Sequence, residues 1–274
     1  MTVRSRIADR PLLAFGVVTL AWSWTAWIAG SLFADAIPVT VVLLGAWGPT
    51  VAGVVVTASE GGRLAVRDLF GRLVRWRVPA RHYLLAVGLV PATLLLAVVG
   101  LVLVGGPVPA PTFPANLPGR WEYALLPVVF LTNVFVGGPI AEELGWRGVA
   151  QPRLAERLGT LPAGAVVGVC WGLWHLPFFL LPGTGIVVGG LPPVAFVALT
   201  TCWSVLVGWL VTVGQGSVLL AVLFHASVNT TFGTLVGVGG DTMSVVAVVA
   251  ATVVAVAVLV AARRRVTRPD LAPV

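Results

Sequence analysis

Two carboxylates, a guanidinium, two imidazoles and an amide stand in this chain where acyl chemistry could use them. Glu142 and Glu143 lie side by side in "GGPIAEELGWRG", residues 137–148, with Arg147 just after. His175 stands in "WGLWHLPFF", and His225 and Asn229 stand in "FHASVNT". A glutamate in a dry site suits general-base work on a water, while imidazole and amide groups suit the oxyanion that follows attack on a carbonyl. The same Glu142, His175 and His225 could instead hold one divalent metal such as zinc, leaving a position for water, or the site could need no cofactor at all. Each fragment also has a plainer reading: an ion pair at a helix end, a histidine hydrogen-bonded across helices, or polar glue within a bundle.

Helical geometry separates the two acids. Arg147 is four residues after Glu143, about 40° away around a helix, and five after Glu142, about 140° away. The spacing therefore assigns Arg147 to Glu143 as a supporting pair and leaves Glu142 free. The Gly137-Gly138-Pro139 break predicts a new helical segment near Pro139, with both acids in its first turns, where the helix dipole favours negative charge. His175 is about 20° from Gly168 on a wheel that also carries Gly164 and Gly172, so it shares the face by which the helix approaches a neighbour. His225 and Asn229 share one face with Ala221 and Ser217, a small-polar stripe expected to point into a bundle.

The elements that must position these groups are membrane helices. Of 274 residues, 58% are hydrophobic and only 10% charged, and the mean hydropathy is +1.01. A soluble domain carries about 25% charged residues, so composition excludes that class. Runs of about 20 apolar residues each cross a bilayer core as one helix. Eight such runs are predicted, at about 12–33, 39–58, 83–104, 122–141, 161–181, 193–213, 216–237 and 243–262. The fold expected is an all-α, polytopic single transmembrane domain over 1–274, with the motifs in about 120–235. "MTVRSRIADR" followed by an apolar run to Phe33 and Ala34-x-Ala36 imitates a cleaved leader. That run is longer than the usual leader core of about 7–15 residues, so an uncleaved first helix is expected.

The chain's seventeen basic residues are all arginine. With eight spans, all except Arg120 fall on one face, which the positive-inside rule makes cytoplasmic, with both termini. The net charge of +7 is thus read as topology, with contact to anionic lipid beside it and no nucleic acid. Cys170 and Cys202 make no disulfide framework and are expected to be small core residues. His82 is expected at the interface, and Asp241 in an outer loop.

These motifs resemble a known family. "EELGWR" resembles the EExxxR motif of the CPBP intramembrane proteases, the CAAX-protease and bacteriocin-processing (Abi) group that includes the Ras-converting CAAX endopeptidase. "WGLWH" resembles its FxxxH motif, with Trp171 in place of the commonest Phe, and "HASVN" resembles its HxxxN motif. The resemblance implies an eight-helix endopeptidase of the cell membrane, here a bacterial plasma membrane, acting on a membrane-anchored protein or peptide. By position, Glu142 would activate water beside His175, His225 and Asn229 would hold the oxyanion, and Glu143 with Arg147 would support them.

A proton-coupled transporter, or a scaffold or bacteriocin-immunity partner, is the rival class, since buried Glu, His and Arg also build proton pathways. Upright helices would leave Glu142 near one end of its span and His175 roughly 20 Å along the next. One site therefore requires the Glu142 helix to run on, to about Pro152, and requires Glu142, His175, His225 and Asn229 to converge within about 8 Å, the reach of one bridging water.

Overall fold

A computed structural model describes residues 3–33, 38–106, 123–136, 138–182 and 191–232, with 252, 253, 256 and 257 beyond them. Among the described residues there is helix and no strand. In chain order the helices are α1 (Val3–Asp9), α2 (Pro11–Leu32), α3 (Val39–Ala46), α4 (Gly48–Gly71), α5 (Ala80–Leu103), α6 (Leu126–Phe135) and α7 (Pro139–Gly145). A π-helical stretch, Trp146–Ala150, joins α7 to α8 (Gln151–Leu158), and α9 (Thr160–Trp174), α10 (Pro177–Leu180), α11 (Pro193–Val213) and α12 (Val218–Thr230) follow. Prolines open many of them. Pro11, Pro49, Pro127, Pro139, Pro152, Pro177 and Pro193 each fall in the first two positions of a helix, where a missing N–H leaves no bond unmade.

Among the described residues, five helical stretches are long and apolar enough to cross a membrane: Pro11–Leu32, Val39–Val74, Ala80–Leu103, Thr160–Leu180 and Pro193–Val213. A sixth forms if α6 and Pro139–Leu158, bent by 46° at their junction, count as one. α12 is apolar but has only 13 residues. Most of the expected span 243–262 and of the expected loop 105–120, and Arg120, Asp241 and the C-terminal arginines, lie outside the described residues. The expected span 122–141 is differently built: it ends at Phe135, and a new helix begins at Pro139. That helix runs past the expected stop at Pro152 to Leu158. Pro152 does not break it because it occupies the second position of α8, directly after the π turn.

The bundle is apolar outside and polar inside. Leu84, Leu95, Leu96, Leu103 and Val194 are exposed, whereas Glu142, Glu143, Arg147, Gln151, His175 and His225 are buried. Lipid tails solvate leucine as well as a core does, so packing and hydrogen bonds must hold the helices together. α12 lies at the centre, against α5, α6, α7 and α11. Ser227 Oγ–H donates to the Val87 carbonyl of α5 at 2.7 Å, and Asn133 Nδ2–H of α6 donates to Thr230 Oγ1 at 3.0 Å. His82, expected at the interface, is buried at the start of α5.

One end of the bundle collects the basic segments. Arg72 Nε–H donates to the Gly216 carbonyl at 3.0 Å, and Arg75 donates to that of Gln215. Arg153 pairs with Glu60, and Arg4 Nε–H reaches the Ser59 carbonyl at 3.1 Å. The stretch after α4, the chain's start and α8, whose arginines were expected on one face, therefore meet at one end with the α11–α12 turn beside them.

The glycine face of α9 packs on α11. A Cβ on Gly168 would stand 2.4 Å from the Thr201 Cα, and one on Gly172 would stand 3.0 Å from the Val197 Cα. Cys170, about 200° from Gly168, is correspondingly exposed, and Cys202 is only part-buried, contrary to the expectation of two core cysteines. Gly168→Val, by forcing two backbones apart, should cost about 1–3 kcal/mol and lower the thermal midpoint in detergent by several degrees. A midpoint equal to wild type would mean that α9 and α11 do not meet there.

Candidate active site

The "GGPIAEELGWRG" stretch holds its shape for local reasons. Gly138 has φ +100°, a conformation side chains resist, and a Cβ there would stand 2.8 Å from Glu142 Oε1. The Gly138 carbonyl accepts the Glu142 N–H at 3.0 Å, which starts the helix. Seven residues on, a Cβ at Gly145 would stand 2.1 Å from the Pro49 carbonyl oxygen, so α4 abuts α7 directly. The next five residues are π-helical, a form concentrated at functional sites. Arg72 Nη1–H bonds the Gly148 carbonyl at 2.7 Å and Arg153 Nη1–H that of Val149 at 2.9 Å, so two arginines hold the carbonyls of this stretch.

The charges then sort as the spacing predicts. Arg147 and Glu143 are each only 1% exposed, and Arg147 Nη1–H donates to Glu143 Oε1 at 3.0 Å. The same oxygen meets His225 Nδ1 of α12 at 2.8 Å. A carboxylate accepts, so His225 Nδ1 is the donor. Glu142 makes neither contact. Its Oε2 accepts the indole N–H of Trp171 at 2.8 Å, and the Arg147 guanidinium lies over that same indole, 4.8 Å from its centroid.

Trp171 is thus the common neighbour. His175 and His225 both meet it edge to face, with ring centroids at 5.9 and 5.0 Å. His175 caps the C-terminus of α9, and its Nδ1 lies 2.8 Å from the Trp171 carbonyl. A carbonyl can only accept, so Nδ1 carries the proton and Nε2 of the neutral ring offers a lone pair. Trp174 and Phe196 hold the ring at centroid distances of 4.7 and 5.1 Å, and Trp24 Nε1–H ties the Trp174 carbonyl to α2 at 3.0 Å. Asn229 follows His225 by one turn of α12 and is part-buried. The structure therefore brings Glu142, His175 and His225 to one indole, with Glu143 and Arg147 behind them.

Sequence reasoning missed the roles of two residues here. Trp171 stands in sequence as a replacement for Phe in the motif, not as the donor to Glu142. The signal was an N–H donor inside an apolar span, which needs an acceptor when buried. Arg72 had no signal, being one of six arginines in a basic stretch. For a metal, the fit is poor as the side chains stand: among the described residues, no three His, Cys, Asp or Glu side chains form a group that could hold an ion.

Comparison with known proteins falls on the same segment. The family described as type II CAAX prenyl endopeptidase Rce1-like matches residues 124–231. The chain is also similar to CAAX prenyl protease 2 of Methanococcus maripaludis, 23% identical over 227 residues, which covers 80% of each chain.

Removing the partners that hold the two acids in place should cost stability. Glu143→Ala leaves Arg147 and His225 buried without their carboxylate and should cost about 3–5 kcal/mol, seen as a large drop in thermal midpoint. Trp171→Phe keeps a ring in place and removes one bond to a charged group, costing about 1.5–3 kcal/mol. Equal stability of Glu143→Ala and wild type would contradict the ion-pair geometry. Arg72→Ala should loosen the π stretch, which faster amide exchange at 146–150 would report; unchanged exchange there would show that Arg72 does not hold it.

Proposed function

On the match of residues 124–231 to the type II CAAX prenyl endopeptidase Rce1-like family, we propose that the chain is a membrane-embedded endopeptidase whose general base is Glu142. The observation that carries this reading is the division of labour between adjacent acids. Glu143 is bound by Arg147 and His225, while Glu142 is buried, accepts the neutral indole N–H of Trp171, and lies beside the same indole as both histidines.

In the proposed reaction Glu142 and the Nε2 lone pair of His175 orient a water. Its oxygen attacks the scissile carbonyl carbon as its proton passes to the Glu142 carboxylate. The carbonyl oxygen becomes an oxyanion, which the His225 ring and the side-chain amide of Asn229 stabilise. Glu143 orients that ring through Nδ1. The C–N bond then breaks, and the proton on Glu142 passes to the departing amine, which restores the carboxylate. This sequence is derived without a metal, because the present side-chain arrangement does not form a ligand group.

The substrate is a membrane-anchored protein or peptide, a class that the bundle's apolar exterior supports. The name of the Methanococcus maripaludis relative directs the first trial to peptides with a prenylated cysteine near the C-terminus, run beside unprenylated, lipid-anchored peptides.

The decisive comparison is Glu142→Gln against wild type in purified protein. We expect the thermal midpoint to stay within a few degrees and cleavage to fall at least 10²–10⁴-fold, the usual scale of general-base catalysis. Cleavage at the wild-type rate would end the mechanism. A wild-type protein that cleaves nothing in the panel, yet drives proton-coupled solute flux in proteoliposomes, would replace this reading with the transporter.

A further inference from the structure

Away from the site, an open groove of about 710 Å³ lies between α1 and α4, lined by Arg4, Ile7, Val55, Ala58, Ser59, Gly62, Arg63, Val66 and Arg67. Three features distinguish it from a merely basic surface. Its wall changes character along α4: Val55 and Ala58 belong to the apolar span, and Arg63 and Arg67 follow directly. The groove therefore straddles the level at which the helix leaves hydrocarbon for headgroups. The change coincides with a break in α4, where Gly62 adopts φ +65° and ψ −154°, and where the Ser59 carbonyl accepts a bond from Arg4 Nε–H at 3.1 Å.

The third feature is charge. Arg63 and Arg67 are spaced i, i+4, so they share a helix face and repel each other. Arg4 adds a third positive charge, and no carboxylate is among the lining residues. Asp68, directly after Arg67, is not among the lining residues, and Glu60, three residues before Arg63, is occupied by Arg153. Neither Arg63 nor Arg67 has an ion-pair partner among the described residues. Guanidinium groups match phosphate oxygens by paired N–H donors. An anion between them would relieve their repulsion, and an acyl chain would cover Val55, Ile7 and Val66.

We propose that this groove binds the phosphate headgroup of an anionic phospholipid and so fastens α1 to α4. A rule of topology requires positive charge on this side of the membrane but no cavity. The proposal instead requires these particular arginines, and the two are separable by experiment.

The full-length protein in neutral detergent is titrated with phosphatidylglycerol, phosphatidylcholine or inorganic phosphate. Thermal unfolding is followed, with lipid retention read by native mass spectrometry. Two double variants are compared, Arg63→Gln/Arg67→Gln in the groove and Arg77→Gln/Arg81→Gln outside it. All four side chains are exposed, so both variants should fold with wild-type midpoints in the absence of lipid. Phosphatidylglycerol should stabilise wild type by several degrees more than phosphatidylcholine does. The groove variant should bind it about 10–30-fold more weakly, the scale of two basic side chains at an anionic surface, while the outside variant should match wild type. Equal loss in both variants would reduce the effect to diffuse charge and overturn the proposal. So would equal stabilisation by the two lipids, or a full effect from inorganic phosphate alone.

Discussion

The Glu143 carboxylate, closed off from solvent and bound by Arg147 at 3.0 Å and His225 at 2.8 Å, sets the terms for the interior of this bundle. A buried charge without a partner costs several kcal/mol, so the chain must keep α7, the π stretch and α12 in fixed register to satisfy it. That requirement explains why helices with little hydrophobic drive toward one another in lipid adopt a single arrangement around α12. It also explains why Glu142, one residue earlier and turned by about 100°, remains available on the Trp171 side.

Trp171 makes that availability specific. Its N–H fixes the Glu142 carboxylate, its face receives the Arg147 guanidinium, and its edge contacts bring both imidazoles to the same place. One rigid ring therefore does what separate hydrogen bonds would otherwise have to do. Trp24 extends the arrangement outward by tying the end of α9 to α2. The π stretch carries Arg147, and its carbonyls are held by Arg72 and Arg153 from the basic end of the bundle. The interface-level arginines and the buried site thus belong to one continuous hydrogen-bonded framework. The groove at Arg4, Arg63 and Arg67 sits at that same end, on the same helix, α4, whose N-terminus presses against Gly145.

Much of this was legible in the sequence. Composition alone required membrane helices, because a chain with so few charges cannot clothe a soluble surface. The arginine distribution anticipated which segments meet at one end. Proline and glycine marked the new helix at Pro139, and the glycine face of α9 announced a close helix contact, whose partner is α11. The i, i+4 spacing of Glu143 and Arg147 separated two adjacent acids before any coordinates. Each of these signals is local, carried by periodicity, by backbone preference or by counting charges.

What only the tertiary structure decided involves partners far apart in sequence. Wheel geometry shows which face His225 occupies but not that it meets Glu143, 82 residues away. It cannot select Arg72 from its basic neighbours, because the choice depends on which guanidinium reaches the Gly148 carbonyl. The apparent mismatch in depth between Glu142 and His175 came from treating 122–141 as one upright span. The break before Pro139 and the continuation to Leu158 remove it. The sequence named the residues capable of chemistry and divided the two acids, because those depend on residue type and spacing along one helix. Which groups meet around Trp171 was decided only when four helices packed, because contact across a bundle is set by shape and close approach, which no single segment encodes.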